Sequence, residues 1–192
     1  MYPPSPWHLR GQLHLSVFAV PRRALPPLPA GLRPLALGGR SLVGAAWVAY
    51  EPGGTLHYRE LLAAVLVRPL RPTVMDIWVD SPESCEGGRA LWAIPKDLAE
   101  LTVAPPAAAA TGIAHAEIRP GRRLPGRWPA PLSLVQARED GTRVRTPVSG
   151  TAALRRTGIT WHIESGSPLS YLAGRKPLLS VTLADFRLRF GS

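Results

Sequence analysis

The chain has 192 residues, of which 45% are hydrophobic and 19% charged, with a formal net charge of +10. That length and composition suit one folded domain over residues 1–192 and exclude a disordered chain. The longest strongly apolar run, "LLAAVLV" at 61–67, has seven residues; a membrane helix needs about 20, so no spanning helix is expected.

The opening "MYPPSPWHLR" is proline-rich and polar, without the apolar block of a signal peptide. Cys85 is the only cysteine and has no internal disulfide partner, which fits a reducing, cytoplasmic setting. "QLHLSVFAV" alternates and predicts a strand with Leu13, Leu15 and Val17 on one face. The runs at 41–50 and 59–69 are more continuously apolar, as strands covered on both faces are. "TVMDIWVD" alternates again, with Met75, Ile77 and Val79 together. "SPESCEGGRALWAI" predicts a short helix from about Pro82, capped by Ser81 and closed before Pro95.

"GIAHAEIRP" reads as a strand, and the arginine-rich run at 119–128 as a solvated loop among glycines and prolines. Asp140-Gly141 marks a hairpin between "LSLVQARE" and "TRVRTPVSG". A second short helix is expected at 167–174, closed by Gly174. In "LLSVTLADFRLRF" the apolar residues change parity near Ala184-Asp185, which predicts a bulge. The fold class is therefore mainly β (α+β): a mostly antiparallel curled sheet or β-barrel-like domain with a few short helices.

The arginines are dispersed rather than gathered into a phosphate track, so the charge points to solubility or anion steering and no nucleic-acid partner is expected. The five histidines lack paired helical spacing, and no phosphate loop, dinucleotide fingerprint or nucleophile elbow occurs; neither a metal nor a cofactor is expected. His162, Glu164 and Ser165 in "WHIESGS" read as surface polar residues rather than a triad. Of the 23 Lys+Arg residues only Lys96 and Lys176 are lysine. Lys176 falls in a loop. Lys96 follows Pro95 in "GGRALWAIPKDLAEL", and unlike arginine a lysine amine can lose its proton and attack a carbonyl.

That run, Gly88-Arg89 followed by Pro95-Lys96 and Leu98, resembles the acetoacetate decarboxylase family. "HYRELL" resembles the family's Tyr-x-Glu segment, and "WHLRGQLHLSVF" its first strand; order and spacing hold over about residues 7–100. The resemblance implies that Lys96 forms a Schiff base, that Glu60 is a catalytic acid and that Arg10 meets a substrate carboxylate. Arg89 and Trp92 are further substrate-binding candidates. It also implies cofactor-free lyase chemistry on a small keto acid or related carbonyl compound, and a homo-oligomer.

A protonated imine would be the electron sink for loss of carbon dioxide. Walls built from residues 61–67, Trp92 and Ile94 would favour a neutral amine, and with Asp97 facing away, burial alone is expected to activate it. The chain departs from the family at Ala90, at Asp97 and at the strand pair Ala45-Ala46, where acidic or basic residues are expected. Those departures support an alternative: a non-catalytic or repurposed member that binds a small carboxylate or ketone.

Overall fold

The computed structural model describes residues 1–29 and 31–192. In chain order the strands are β1 (Trp7–Pro21), β2 (Ala36–Leu37), β3 (Arg40–Tyr50), β4 (Tyr58–Val67), β5 (Arg71–Val79), β6 (Lys96–Leu98), β7 (Leu101–Ala104), β8 (Ala107–Ala110), β9 (Ala114–Arg123), β10 (Trp128–Pro129), β11 (Leu132–Ala137), β12 (Arg143–Ile163) and β13 (Leu179–Phe190). Among the described residues they form one 13-stranded sheet with the path β6-β5-β4-β3-β1-β13-β12-β9-β8-β7, while β2, β10 and β11 pair at its flanks. The ladders along it are antiparallel apart from β5–β6, which is parallel.

The sheet is curled, but it is not a barrel. β6 pairs only with β5 and β7 only with β8, so the path stays open. β6 has three residues, and β7 turns away from it to form a hairpin with β8 that packs across β3 and β4. Both faces of the centre are covered, as the continuous apolar runs of β3 and β4 require. One core gathers Phe18, Val43, Trp47, Leu61, Ile118 and Leu169. The other gathers Trp7, Leu9, Val48, Ile77, Trp92 and Phe186. No helix of the described residues is long and apolar enough to cross a membrane.

The single α-helix among the described residues, α1 (Pro82–Trp92), starts where its cap residue requires: the Ser84 backbone N–H donates to Ser81 Oγ at 3.1 Å. Ser81→Ala should therefore cost about 1 kcal/mol and lower Tm by about 2–4 °C in a calorimetric scan. An unchanged Tm would show that the cap contributes nothing. The expected helix at 167–174 is instead a 3-10 turn, Pro168–Leu172, too short to continue as α-helix.

Met75 does not share a face with Ile77 and Val79. The β4–β5 ladder skips it, pairing Ala63 with Asp76 and Ala64 with Val74, so the period of two breaks there. Residues 119–123, expected in a loop, extend β9 as an exposed strand paired to β12. The bulge at Ala184-Asp185 is present, with Asp185 at a φ of 48°.

Candidate active site

Strand alternation puts Tyr58 and Glu60 on one face of β4, and the register with β3 sets Tyr50 opposite Tyr58 and Val48 opposite Glu60. The two tyrosine rings stack, with centroids 4.3 Å apart. β6 enters beside β5 with Lys96 opposite Ile77, and alternation turns Lys96 inward and Asp97 out. Over this corner lies α1, which presents Ser84, Cys85, Gly87 and Gly88 to the sheet.

The Lys96 ammonium donates to three oxygens: Glu60 Oε2 at 2.9 Å, Ser84 Oγ at 2.9 Å and Tyr58 Oη at 3.3 Å. Tyr50 Oη donates to Glu60 Oε1 at 3.1 Å. Lys96 is 4% exposed and Glu60 2%, so this ion pair is shielded from water and screened little by salt. Two glycines let the helix approach. A Cβ on Gly88 would lie 2.7 Å from Lys96 Cδ, and one on Gly87 would lie 2.6 Å from the Trp7 ring.

Burial alone pulls the amine's pKa down, but the Glu60 carboxylate and then Tyr58 outweigh it, and the group is held above its ordinary value. The expectation that burial alone leaves a neutral amine is therefore corrected: a carboxylate sits at bonding distance and keeps the resting lysine protonated. Burial, and next the Glu60 charge, push Tyr58 up to about 12. The same causes, in the same order, raise Tyr50. Both phenols remain donors at neutral pH.

The sequence candidates divide. Lys96 and Glu60 are brought into contact. Arg89 lies outside, with its Nε donating to the Lys96 carbonyl and its guanidinium bonded to Asp97. It braces the backbone of Lys96 rather than facing the amine. Trp92 packs edge-on to Trp7 and Phe190 at 4.7 and 4.6 Å, inside the second core.

Arg10 lies against Gly53, its Nε without a partner, and no contact joins it to Lys96 or Glu60 among the described residues. Ala90 and Asp97 are exposed, so two of the three departures from the family sequence fall outside the site. The third does bear on it: Ala46 shares the sheet face of Val48 and Glu60.

Tyr50, Tyr58 and Ser84 carried no assigned role in the sequence. The signal for Tyr58 was its position two residues before Glu60, on the same strand face. Ser84 stands one helical turn before Gly88, which the amine's chain crosses. Cys85 is buried, its thiol on the Lys96 carbonyl at 3.2 Å. Lys176, His162, Glu164 and Ser165 are exposed.

A sequence model described as Acetoacetate decarboxylase (ADC) matches residues 4–124. No curated protein matches the chain. Among solved structures, the acetoacetate decarboxylase of Legionella pneumophila subsp. pneumophila str. Philadelphia 1 is similar with a TM-score of 0.65 at 18% identity, covering 98% of this chain and 85% of that one. A second acetoacetate decarboxylase structure gives 0.68 at 16% identity, with 99% and 88% covered. The enduracididine biosynthesis enzyme MppR, complexed with pyruvate, gives 0.57 at 19% identity, with 100% and 88% covered. At these identities the structures establish a shared fold.

Proposed function

Because this chain belongs to the acetoacetate decarboxylase family, we propose that it is a lyase-type enzyme whose Lys96 forms a Schiff base with a small keto acid or related carbonyl compound. The observation that carries this reading is the buried amine held at 2.9 Å from a buried carboxylate. Glu60 takes a proton from the Lys96 ammonium, leaving a neutral amine that adds to the ketone carbon. Loss of water then gives a protonated imine.

When the C–C bond to the carboxylate breaks, its electron pair moves into that imine and carbon dioxide leaves. Glu60, whose first proton leaves in that water, takes another proton from solvent and passes it to the enamine carbon, and hydrolysis returns the amine. Tyr50 and Tyr58 hold Glu60 in place and supply hydrogen bonds that move little charge. Arg10 and Arg89 remain candidates for the substrate carboxylate only if binding rearranges them. The presence of pyruvate in the MppR complex fits a small keto acid as ligand class.

A second reading is a ligand-binding member without turnover, favoured by the three-fold anchoring of a protonated Lys96. Incubation with small β-keto acids or β-diketones followed by borohydride and peptide mapping separates the two. Lys96 should carry the reduced adduct, and Lys96→Arg should abolish it. An adduct that survives that substitution would sink the Schiff-base reading. Unlabelled Lys96 in a protein that still binds the ligand would support the second.

A further inference from the structure

One end of the sheet carries positive charge with almost nothing to balance it. There β1 ends at Pro21 opposite Arg40, where β3 begins, and β4 ends at Val67 opposite Arg71, where β5 begins. Residues 1–50 hold five arginines and no Asp or Glu. Of the acidic residues on and after these strands, Glu51, Glu60 and Asp80 fall at the opposite ends of β3, β4 and β5, the end that holds Lys96. Asp76, between them, accepts from Tyr171 Oη at 2.7 Å.

Two adjoining clefts open at the basic end, the larger of about 610 Å³. Arg33 and Arg68 wall both. Arg22 completes the smaller, and Arg71, Arg143 and Arg145 line the larger. No carboxylate lines either cleft, and none of these six arginines forms an ion pair among the described residues. Arg143 donates to the Gly31 carbonyl at 2.8 Å and Arg145 to Ser133 Oγ at 3.0 Å. These neutral acceptors hold the side chains without cancelling their charge. Arginines dispersed along the sequence are thus gathered by the fold, and the repulsion among them is relieved by an anion.

Exposed leucines accompany the charge. Leu70, at the tip of the β4–β5 hairpin between Arg68 and Arg71, is 69% exposed, and Leu37, paired with Arg40, is 74% exposed. Leu70 also stands at a φ of 152°, where glycine is at ease and leucine is strained. Neither water nor the backbone favours leucine at that tip. An apolar surrounding does.

We propose that this end of the sheet docks peripherally on an anionic lipid bilayer, the arginines meeting headgroup phosphates while Leu37 and Leu70 enter the interface. RNA is the less suited polyanion, because no aromatic side chain lines the clefts for bases to stack on. Docking here leaves the Lys96 end of the strands on the aqueous side, and the proposal does not depend on the chemistry of that lysine.

Co-sedimentation of the full chain with vesicles tests this. It should bind phosphatidylcholine vesicles containing about 30% phosphatidylserine and not phosphatidylcholine alone, and binding should weaken as salt rises from about 0.05 to 0.5 M. Arg33→Ala/Arg68→Ala should weaken it by about 25-fold, at about fivefold per arginine. Arg122→Ala/Arg187→Ala, which removes the same charge from β9 and β13, should change it by about twofold or less. Leu70→Gly relieves the backbone, so it should keep or raise Tm and yet bind about tenfold more weakly. No binding, equal binding to the two vesicles, or equal losses in the two double variants would overturn the proposal. Parent-like binding by Leu70→Gly, together with competition by tripolyphosphate, would instead make the clefts a site for soluble anions. Tighter retention of single-stranded RNA than of vesicles would overturn it too, as would an oligomer that dissociates in Arg33→Ala/Arg68→Ala, which would mark an interface between copies.

Discussion

Glu60→Gln should remove almost all turnover while making Lys96 easier to acylate at neutral pH. The two effects have one source. The carboxylate supports the charge on the buried amine, and without it burial is unopposed, so the pKa falls below the ordinary lysine value. The neutral amine then reacts faster with an acylating reagent. On the proposed mechanism turnover should fall by about 100-fold to 10,000-fold, because the group assigned to carry protons to and from the imine and enamine is gone.

The same variant should lose about 3–5 kcal/mol, the usual cost of breaking a buried pair from one side. Its pH dependence should also change sign. In the parent protein the folded-state pKa of Lys96 is raised, so the stabilisation is complete below the unfolded value of about 10.4 and is lost as pH rises through the folded value. In Glu60→Gln the folded value is depressed, so stability rises with pH up to about 10.4. Acylation rates and urea unfolding between neutral and alkaline pH read both effects. A parent-like slope in the variant would disprove the coupling.

Gly88→Ala should be nearly as damaging to activity by a purely steric route. The new methyl would lie 2.7 Å from Lys96 Cδ and 2.8 Å from Cε, closer than non-bonded carbons sit. The lysine chain has to move, and the amine leaves the position shared by Glu60, Ser84 and Tyr58. Alanine is intrinsically the better helix former by about 0.8–1.0 kcal/mol, so helix propensity alone predicts stabilisation. The overpacking cost of about 1–3 kcal/mol should prevail, giving a lower Tm together with lost borohydride trapping. A variant more stable than the parent with full trapping would show that the chain of Lys96 yields without cost.

Much of the sheet was legible because period-two alternation survives wherever pairing is regular, as along residues 13–17 of β1 and 114–118 of β9. The α1 boundaries were legible too, because Ser81 and the Pro95 stop act through local chemistry. The parity switch at Ala184-Asp185 announced its bulge, but the one in β5 left no such mark: Met75 is skipped by its ladder and moves to the other core. Of the two expected forms the curled sheet holds and the barrel-like one does not, since closure depends on whether β6 and β7 meet, and no local pattern encodes that. At the site, Lys96 and Glu60 were identified through a family resemblance, whereas the electrostatic result was not readable at all. Whether a buried lysine is neutral depends on a carboxylate 36 positions away in sequence and 2.9 Å away in space.

Lys96 sits on the terminal strand of an open sheet, and that position governs its traffic with solvent. On a central strand, parting the chain enough to admit a carbonyl compound would break two ladders. β6 is held by one short ladder on one side, with α1 resting against it. Fraying of the β6 edge therefore breaks only that ladder, while Trp92 and the Lys96–Glu60 pair tie the rest of 82–98 to the core. The backbone amides of β6 should exchange with deuterium well before those of β1, β3 and β13, and the same fraying provides a path for ligands to an otherwise sealed ammonium.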